Sequence, residues 1–248
     1  MIGATASGGR EEAQNGSIMG ITCRDISYRY PGTEAFVFRD LSFEMAAPGF
    51  NALFGPSGVG KTSLARILCG DIQGYEGKVR LDGIDRLAYS YNLERLPGWS
   101  TVGRHLEKIV PASQRSLMAE LVPVFGLESC MDQRFSQLSL GQKNRINLIR
   151  YLLQGFQLLI LDESLANVDE MTRERIILHM KDLFPETYFI YISHNVVEVS
   201  RFCRDILVFR GPDKQPSAVV VQGQDLRSSD EIDTTAFERT MLEIMNAV

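Results

Sequence analysis

The sequence predicts an α/β fold with a mainly parallel sheet, an antiparallel β subdomain and a helical insertion. Three observations carry that expectation. The stretch "FNALFGPSGVGKTSLARILCG" runs from an apolar strand through a glycine-rich turn into a helical stripe of Leu64, Ile67 and Leu68. Further on, the strand-like runs "FQLLILDE", "TYFIYISHN" and "DILVFRG" alternate with helix-like runs, which is the rhythm of a parallel sheet. Ahead of the turn, "ITCRDISYRY" and "AFVFRDLSFEM" are strand-like and flank Pro31-Gly32, as in an antiparallel arrangement.

Taken in order, residues 1–17 are rich in Gly, Ala, Ser and Glu with no sustained apolar period, and they read as a flexible extension. One domain is expected over 18–248, with its β/α core over about 21–87 and 138–222. Between Leu81 and Gln137 the strand signal weakens and "STVGRHLEKIV" and "SQRSLMAELVPVFGL" look helical, so about 88–137 reads as the helical insertion. "GQKNRINLIRYLLQG", "DEMTRERIILHMKDLF" and "VVEVSRFC" read as helices between strands, and "SAVVVQG" as one more strand. The tail, 223–248, closes with an amphipathic helix over "TTAFERTMLEIMNAV".

Composition narrows the classes of function. With 248 residues, 44% of them hydrophobic, the chain can bury a large core. A formal charge of -5, with scattered basic residues, gives no electrostatic footprint for nucleic acid, and none is expected as a partner. No apolar run approaches the roughly 18 residues needed to cross a bilayer, so any membrane association is expected to be peripheral. Cys23, Cys69, Cys130 and Cys203 are far apart, without metal-ligand spacing or a cleavable apolar leader, and read as reduced cytosolic thiols.

The motif with the most specific chemistry is "GPSGVGKT", Gly55 to Thr62. Gly55, Gly58 and Gly60 let backbone N–H groups converge on phosphate oxygens, and the helix that follows points its positive end at the same place. Lys61 reaches the β- and γ-phosphates, and Thr62 offers a hydroxyl to Mg2+. Ser57, Val59 and Ser63 complete the phosphate-binding segment. The "LLIL" strand delivers Asp162 and Glu163 to its carboxyl end, where ligands meet an open parallel sheet. Asp162 suits the metal, and Glu163 suits the orientation or deprotonation of an attacking water. His194 ends the "YFIYIS" run by the same logic, although a lone histidine is more often structural.

Taken together and in this order, "GPSGVGKT", "LSLGQ", "LILDE", "NVD" and "ISHN" resemble the ATP-binding subunit of an ABC transporter, over about Ile21 to Gly211. The resemblance implies the ABC ATPase fold, a P-loop NTPase core, and ATP and Mg2+ as cofactors. It also implies a dimer of two such subunits, a homodimer more readily than a heterodimer, with each phosphate loop facing the other subunit's signature loop. Ser139, Leu140, Gly141 and Gln142 correspond to that signature, contacting γ-phosphate in trans, and Asp169 to the loop linking the two sites. Glu163 corresponds to the catalytic base and His194 to the switch histidine. Tyr30 corresponds to the aromatic that stacks on adenine, the alternative being a strand tyrosine of the core.

Two positions depart from the family pattern. Asn92 aligns with a glutamine that contacts Mg2+ and feels the membrane partner, and its side chain is shorter by about 1.5 Å. Leu140 replaces the first of two adjacent glycines, which matters if that position needs φ > 0 or a bare backbone. A plainer role coexists there, because Ser139 and Gln142 fit a helix capping box. The resemblance further implies integral membrane permease subunits, a solute-binding protein and a peripheral place on the cytoplasmic face of the inner membrane. "RLPGWSTV" resembles importers of the nitrate, sulfonate and taurine group. The alternatives are a regulatory or partly degenerate subunit of a heterodimer and an ABC ATPase outside transport.

Overall fold

A computed structural model describes residues 19–90, 99–165, 167–211, 213–228 and 232–248. The expected extension, 1–17, and Asn92 lie outside the described residues. Among the described residues two sheets form. Strands β1 (Gly20–Tyr28), β2 (Phe38–Met45) and β4 (Glu76–Asp82) make an antiparallel sheet in the order β2-β1-β4. The larger sheet joins β3 (Gly49–Phe54), β5 (Leu87–Ser90), β6 (Leu158–Asp162), β7 (Tyr188–Ser193), β8 (Asp205–Phe209) and β9 (Ala218–Gln222) in the order β5-β6-β7-β3-β8-β9. Every pairing in it is parallel except β8 with β9.

The central strands are apolar on both faces because both faces are covered, as parallel sheets require. Every residue of β3 and β7 is buried. Successive side chains alternate between two cores: Phe50, Ala52, Leu159, Leu161, Phe189 and Tyr191 on one side, and Leu53, Leu158, Ile160, Tyr188, Ile190 and Ile192 on the other. The second core also takes Leu64, Ile67 and Leu68 from helix α1 (Lys61–Leu68) and the inner faces of β1 and β2. The first is covered by helices α2 (Val102–Ile109), α3 (Arg115–Val124), α4 (Leu140–Leu152) and α5 (Glu170–Leu183). Helix α6 (Val196–Phe202) follows β7, and helix α7 (Thr234–Ala247) packs on α6 and β9.

Two features depart from the sequence reading. Residues 88–90 are not part of the helical insertion. They belong to β5, which pairs in parallel with β6 from Leu87–Leu158 to Ser90–Leu161, and its four residues are too short for a periodicity to register. Strand β4 likewise carries no readable apolar pattern, because its residues are exposed or half-buried and its stability comes from pairing with β1.

Register is what assembles the site. Phe54 pairs with Ser193 and Asp162 with Ile192, so β3, β6 and β7 end at one level. The turn at Gly55, the Asp162-Glu163 pair and His194 therefore leave the sheet along the same rim.

Candidate nucleotide site

The loop from Gly55 to Gly60 turns back on itself with Gly58 at φ 81° and Gly60 at φ 109°. Gly60 is also required by packing, since a Cβ there would lie 2.6 Å from Val37 Cγ1 and 2.9 Å from Phe38 Cδ1. Gly58 faces open space. Gly60 ends the loop in the left-handed region as the N-cap of α1, and no side chain caps this helix. Ser139, Asp169, Asn195 and Asp233 cap α4, α5, α6 and α7 through side-chain acceptors, whereas α2 and α3, like α1, have no side-chain cap. The amides at the start of α1 are therefore left for an anion, with the positive end of the helix dipole behind them.

Lys61 curls over this loop, its Nζ donating at 2.7 Å to the carbonyls of Gly55 and of Pro56. Burial lowers its pKa below the ordinary lysine value of 10.5, while the charges of Asp162 and Glu163 act in the opposite sense. Thr62 Oγ1 donates to Asp162 Oδ2 at 3.1 Å, and Tyr89 OH donates to the same oxygen at 2.5 Å. Tyr30 is half exposed beside the loop, with its hydroxyl 2.8 Å from Ser63 Oγ and its ring edge-on to Tyr28. Tyr30, Ser57, Gly58, Gly60, Lys61, Thr62, Ser63, Asp162 and Glu163 line one open cleft, together with Ile192.

Glu163 is exposed and has φ 52°, a left-handed conformation that costs a non-glycine residue roughly 1–2 kcal/mol. The next residue anchors the bend: buried Ser164 Oγ lies 3.1 Å from Ser90 O and 2.9 Å from Ser90 Oγ. His194, also exposed, does not line this cleft. It lines an adjoining apolar cavity of about 370 Å³ with Phe54, Gly55, Pro56, Val196, Met245 and Val248, so the two cavities meet at the phosphate loop.

The signature residues line neither cavity. Ser139 Oγ accepts from Gln142 N at 3.2 Å, and Gln142 Oε1 accepts from Ser139 N at 2.8 Å, the capping box that the spacing predicts. Leu140 is the first residue of α4, 45% exposed, and is not among the residues with positive φ. Gly141 is the tight position: a Cβ on it would meet Asn167 O at 2.2 Å. Arg145 holds this helix start by donating to Gly141 O at 3.3 Å and Phe125 O at 2.7 Å. Asp169 caps α5 by accepting from Thr172 N at 2.9 Å, and its hydrogen bonds with Thr172 hold its carboxyl below the usual range.

Sequence reasoning missed Tyr89, Ser90, Ser164 and Asn167. None carries a motif of its own, and each was selected by a partner distant in the chain. Among the described residues no group of three or more His, Cys, Asp or Glu gathers as a metal cage. Thr62 and Asp162 do fit Mg2+, a hard ion that takes few protein oxygens and completes its shell with phosphate and water.

The family profile described as ABC transporter matches residues 38–166, more than half of the chain. This chain belongs to the ABC transporter family. It is similar to the molybdenum import ATP-binding protein ModC of Saccharophagus degradans, 32% identical over 183 residues, which cover 66% of this chain and 51% of the relative. It is also similar to the taurine import ATP-binding protein TauB of Pseudomonas aeruginosa, 28% identical over 201 residues, 75% of this chain and 76% of the relative. The ABC family member described here thus spans about half the length of the molybdenum relative. The fold resembles the structure of a bacterial Atm1-family ABC exporter with ATP bound, with a TM-score of 0.66 and 23% identity, over 76% of this chain and 37% of that one.

Proposed function

We propose that this chain is the ATP-binding and hydrolysing subunit of an ABC transporter that powers import of a small solute through separate membrane permease subunits. The observation that carries the proposal is the convergence of Lys61, Thr62, Asp162 and Glu163 on the one cleft beside an uncapped helix start. There Lys61 and the loop amides bind the β- and γ-phosphates and offset charge that builds during transfer. Thr62 and Asp162 would hold Mg2+, which supplies further neutralisation of phosphate charge when bound. Glu163 orients the attacking water and takes its proton as that water's oxygen bonds the γ-phosphorus and the bond to the β–γ bridging oxygen breaks, with ADP as the leaving group. His194 contacts the γ-phosphate from the third strand end, and Tyr30 stacks on adenine.

Ser139, Leu140, Gly141, Gln142 and Asp169 act in trans, on ATP held by a second copy of the subunit. The relatives named for molybdenum and taurine import support the importer reading. No helix among the described residues is long and apolar enough to cross a membrane, which suits a subunit placed peripherally on the cytoplasmic face beside the permease. A solute-binding protein completes such an importer.

The test is direct. The purified protein binds ATP with Mg2+, and Glu163→Gln retains bound ATP and accumulates as a dimer by size-exclusion chromatography. Absence of ATP binding by the wild type would reject the proposal.

A further inference from the structure

The loop that carries His194 and the loop that ends at Asp169 leave the sheet on different strands, yet one partly buried ion pair holds both. Glu198, in the first turn of α6, meets Arg173 of α5, with side-chain exposures of 8% and 18%. On the Glu198 side, Oε2 accepts from Tyr191 OH at 2.8 Å and from Ser193 Oγ at 3.3 Å. Ser193 Oγ in turn accepts from Asn195 N at 3.1 Å, and Asn195 Oδ1 accepts from Glu198 N at 3.3 Å. Both neighbours of His194 are thus tied to one glutamate.

On the Arg173 side, the second guanidinium arm donates to Val168 O at 2.5 Å. Val168 lies between Asn167, whose carbonyl packs on Gly141, and Asp169. A continuous path therefore runs from the signature glycine through Asn167, Val168, Arg173, Glu198 and Ser193 to His194. Arginine suits the junction because its rigid fork can serve two acceptors at once, which a lysine ammonium on a flexible stem does less well. Burial acts to lower the Arg173 pKa, but hydrogen bonding and attraction to Glu198 raise it above its ordinary value. Burial and Glu198 push the Tyr191 phenol well up, so it stays a donor.

Resting on the ATPase reading above, we propose that the Arg173–Glu198 pair is a positioning unit. It makes the His194 loop and the 167–169 loop move as one body, so that contact with γ-phosphate at one site is transmitted to the loop facing the other. Neither residue touches nucleotide. A buried ion pair is weak as a source of stability, and a second pair between the same helices, Arg201 with Glu174 at 2.9 Å, keeps α5 and α6 together when the first is altered.

Two variants of the full chain test the unit. Arg173→Lys keeps the charge but gives up the second arm, and Glu198→Gln keeps the shape but removes the charge. For Arg173→Lys the melting temperature is expected within about 3 °C of wild type. Its kcat for ATP falls about tenfold, with KM within roughly twofold, the split expected when positioning rather than binding is lost. In both variants hydrogen exchange quickens together at Asn195 N, bonded to Ser193 Oγ, and at Val168 N, bonded to Leu165 O at 3.2 Å.

A kcat within about twofold of wild type in both variants, or faster exchange at one loop only, would overturn the proposal. So would a loss of activity in both variants that simply follows a fall in melting temperature. If the wild type hydrolyses no ATP, the ATPase reading fails while exchange still decides the linkage: loosening of both loops supports it and loosening of one refutes it.

Discussion

Gly141 approaches the loop ahead of α5 so closely that a Cβ on it would stand 2.2 Å from the Asn167 carbonyl oxygen. The neighbouring Leu140 has no such constraint, being the half-exposed first residue of α4. The two substitutions should therefore separate. Gly141→Ala forces the loop away and destabilises by about 1–3 kcal/mol. Leu140→Gly costs at most about 1 kcal/mol of helix stability and changes hydrolysis by less than roughly fivefold. Urea unfolding with ATPase assays of both variants checks this, and equal stability of Gly141→Ala and wild type would show that the contact can relax.

Ser139 combines a helix cap with a proposed phosphate contact, and the two can be parted by chemistry. Ser139→Ala loses the side-chain acceptor for Gln142 N and should cost about 0.5–2 kcal/mol. Asparagine caps as well as serine, so Ser139→Asn should unfold like wild type. It still lacks the hydroxyl, and its turnover should fall about tenfold, the equivalent of one hydrogen bond. A Ser139→Asn protein with full activity would leave capping as the only role of this side chain.

The glycines of the phosphate loop should divide in the same way. Gly60→Ala meets Val37 and Phe38 and keeps a φ of 109°, so the apo protein loses about 1–3 kcal/mol from crowding alone. Gly58→Ala meets nothing within 4 Å and pays only the left-handed conformation, about 1–2 kcal/mol. Gly58 lines the cleft proposed to take phosphate. Thermal unfolding should rank Gly60→Ala as the less stable, whereas ATP titration should show weakened binding in Gly58→Ala even where it is fully folded.

Lys61 gives a pH dependence of known sign. Its folded pKa lies below 10.5 because of burial, so the unfolded chain holds more protons in the interval between the two values. Apo stability therefore rises with pH across that interval. Bound phosphate favours the charged amine and raises the folded value again. ATP binding should then take up a proton and weaken as pH rises through the lowered value. Titrations in buffers of different ionisation enthalpy should detect the uptake, and Lys61→Met should abolish it.

Much of the site is legible in the sequence because its chemistry is contiguous or ends a strand. The run from Gly55 to Thr62 needs only its own glycines, lysine and threonine next to a helix start. Asp162, Glu163 and His194 are marked by the apolar runs they terminate, and parallel register brings those termini to one rim. A sequence does not state φ, and the helical backbone at Leu140 shows that this position needs no left-handed freedom.

Tertiary structure alone decided what those local rules leave free. Tyr89 reaches Asp162 because a four-residue strand with no readable period pairs beside β6. Gly141 is crowded by a carbonyl in another loop. Arg173 and Glu198 look like ordinary helix-surface charges in the sequence, and only the fold brings α5 and α6 near enough for them to pair. The sequence by itself determined which groups are proposed to bind phosphate and activate water, since that chemistry resides in residue types and their local spacing. Which loops are held to which was decided only by the fold, because those contacts join residues whose proximity depends on strand register and helix packing.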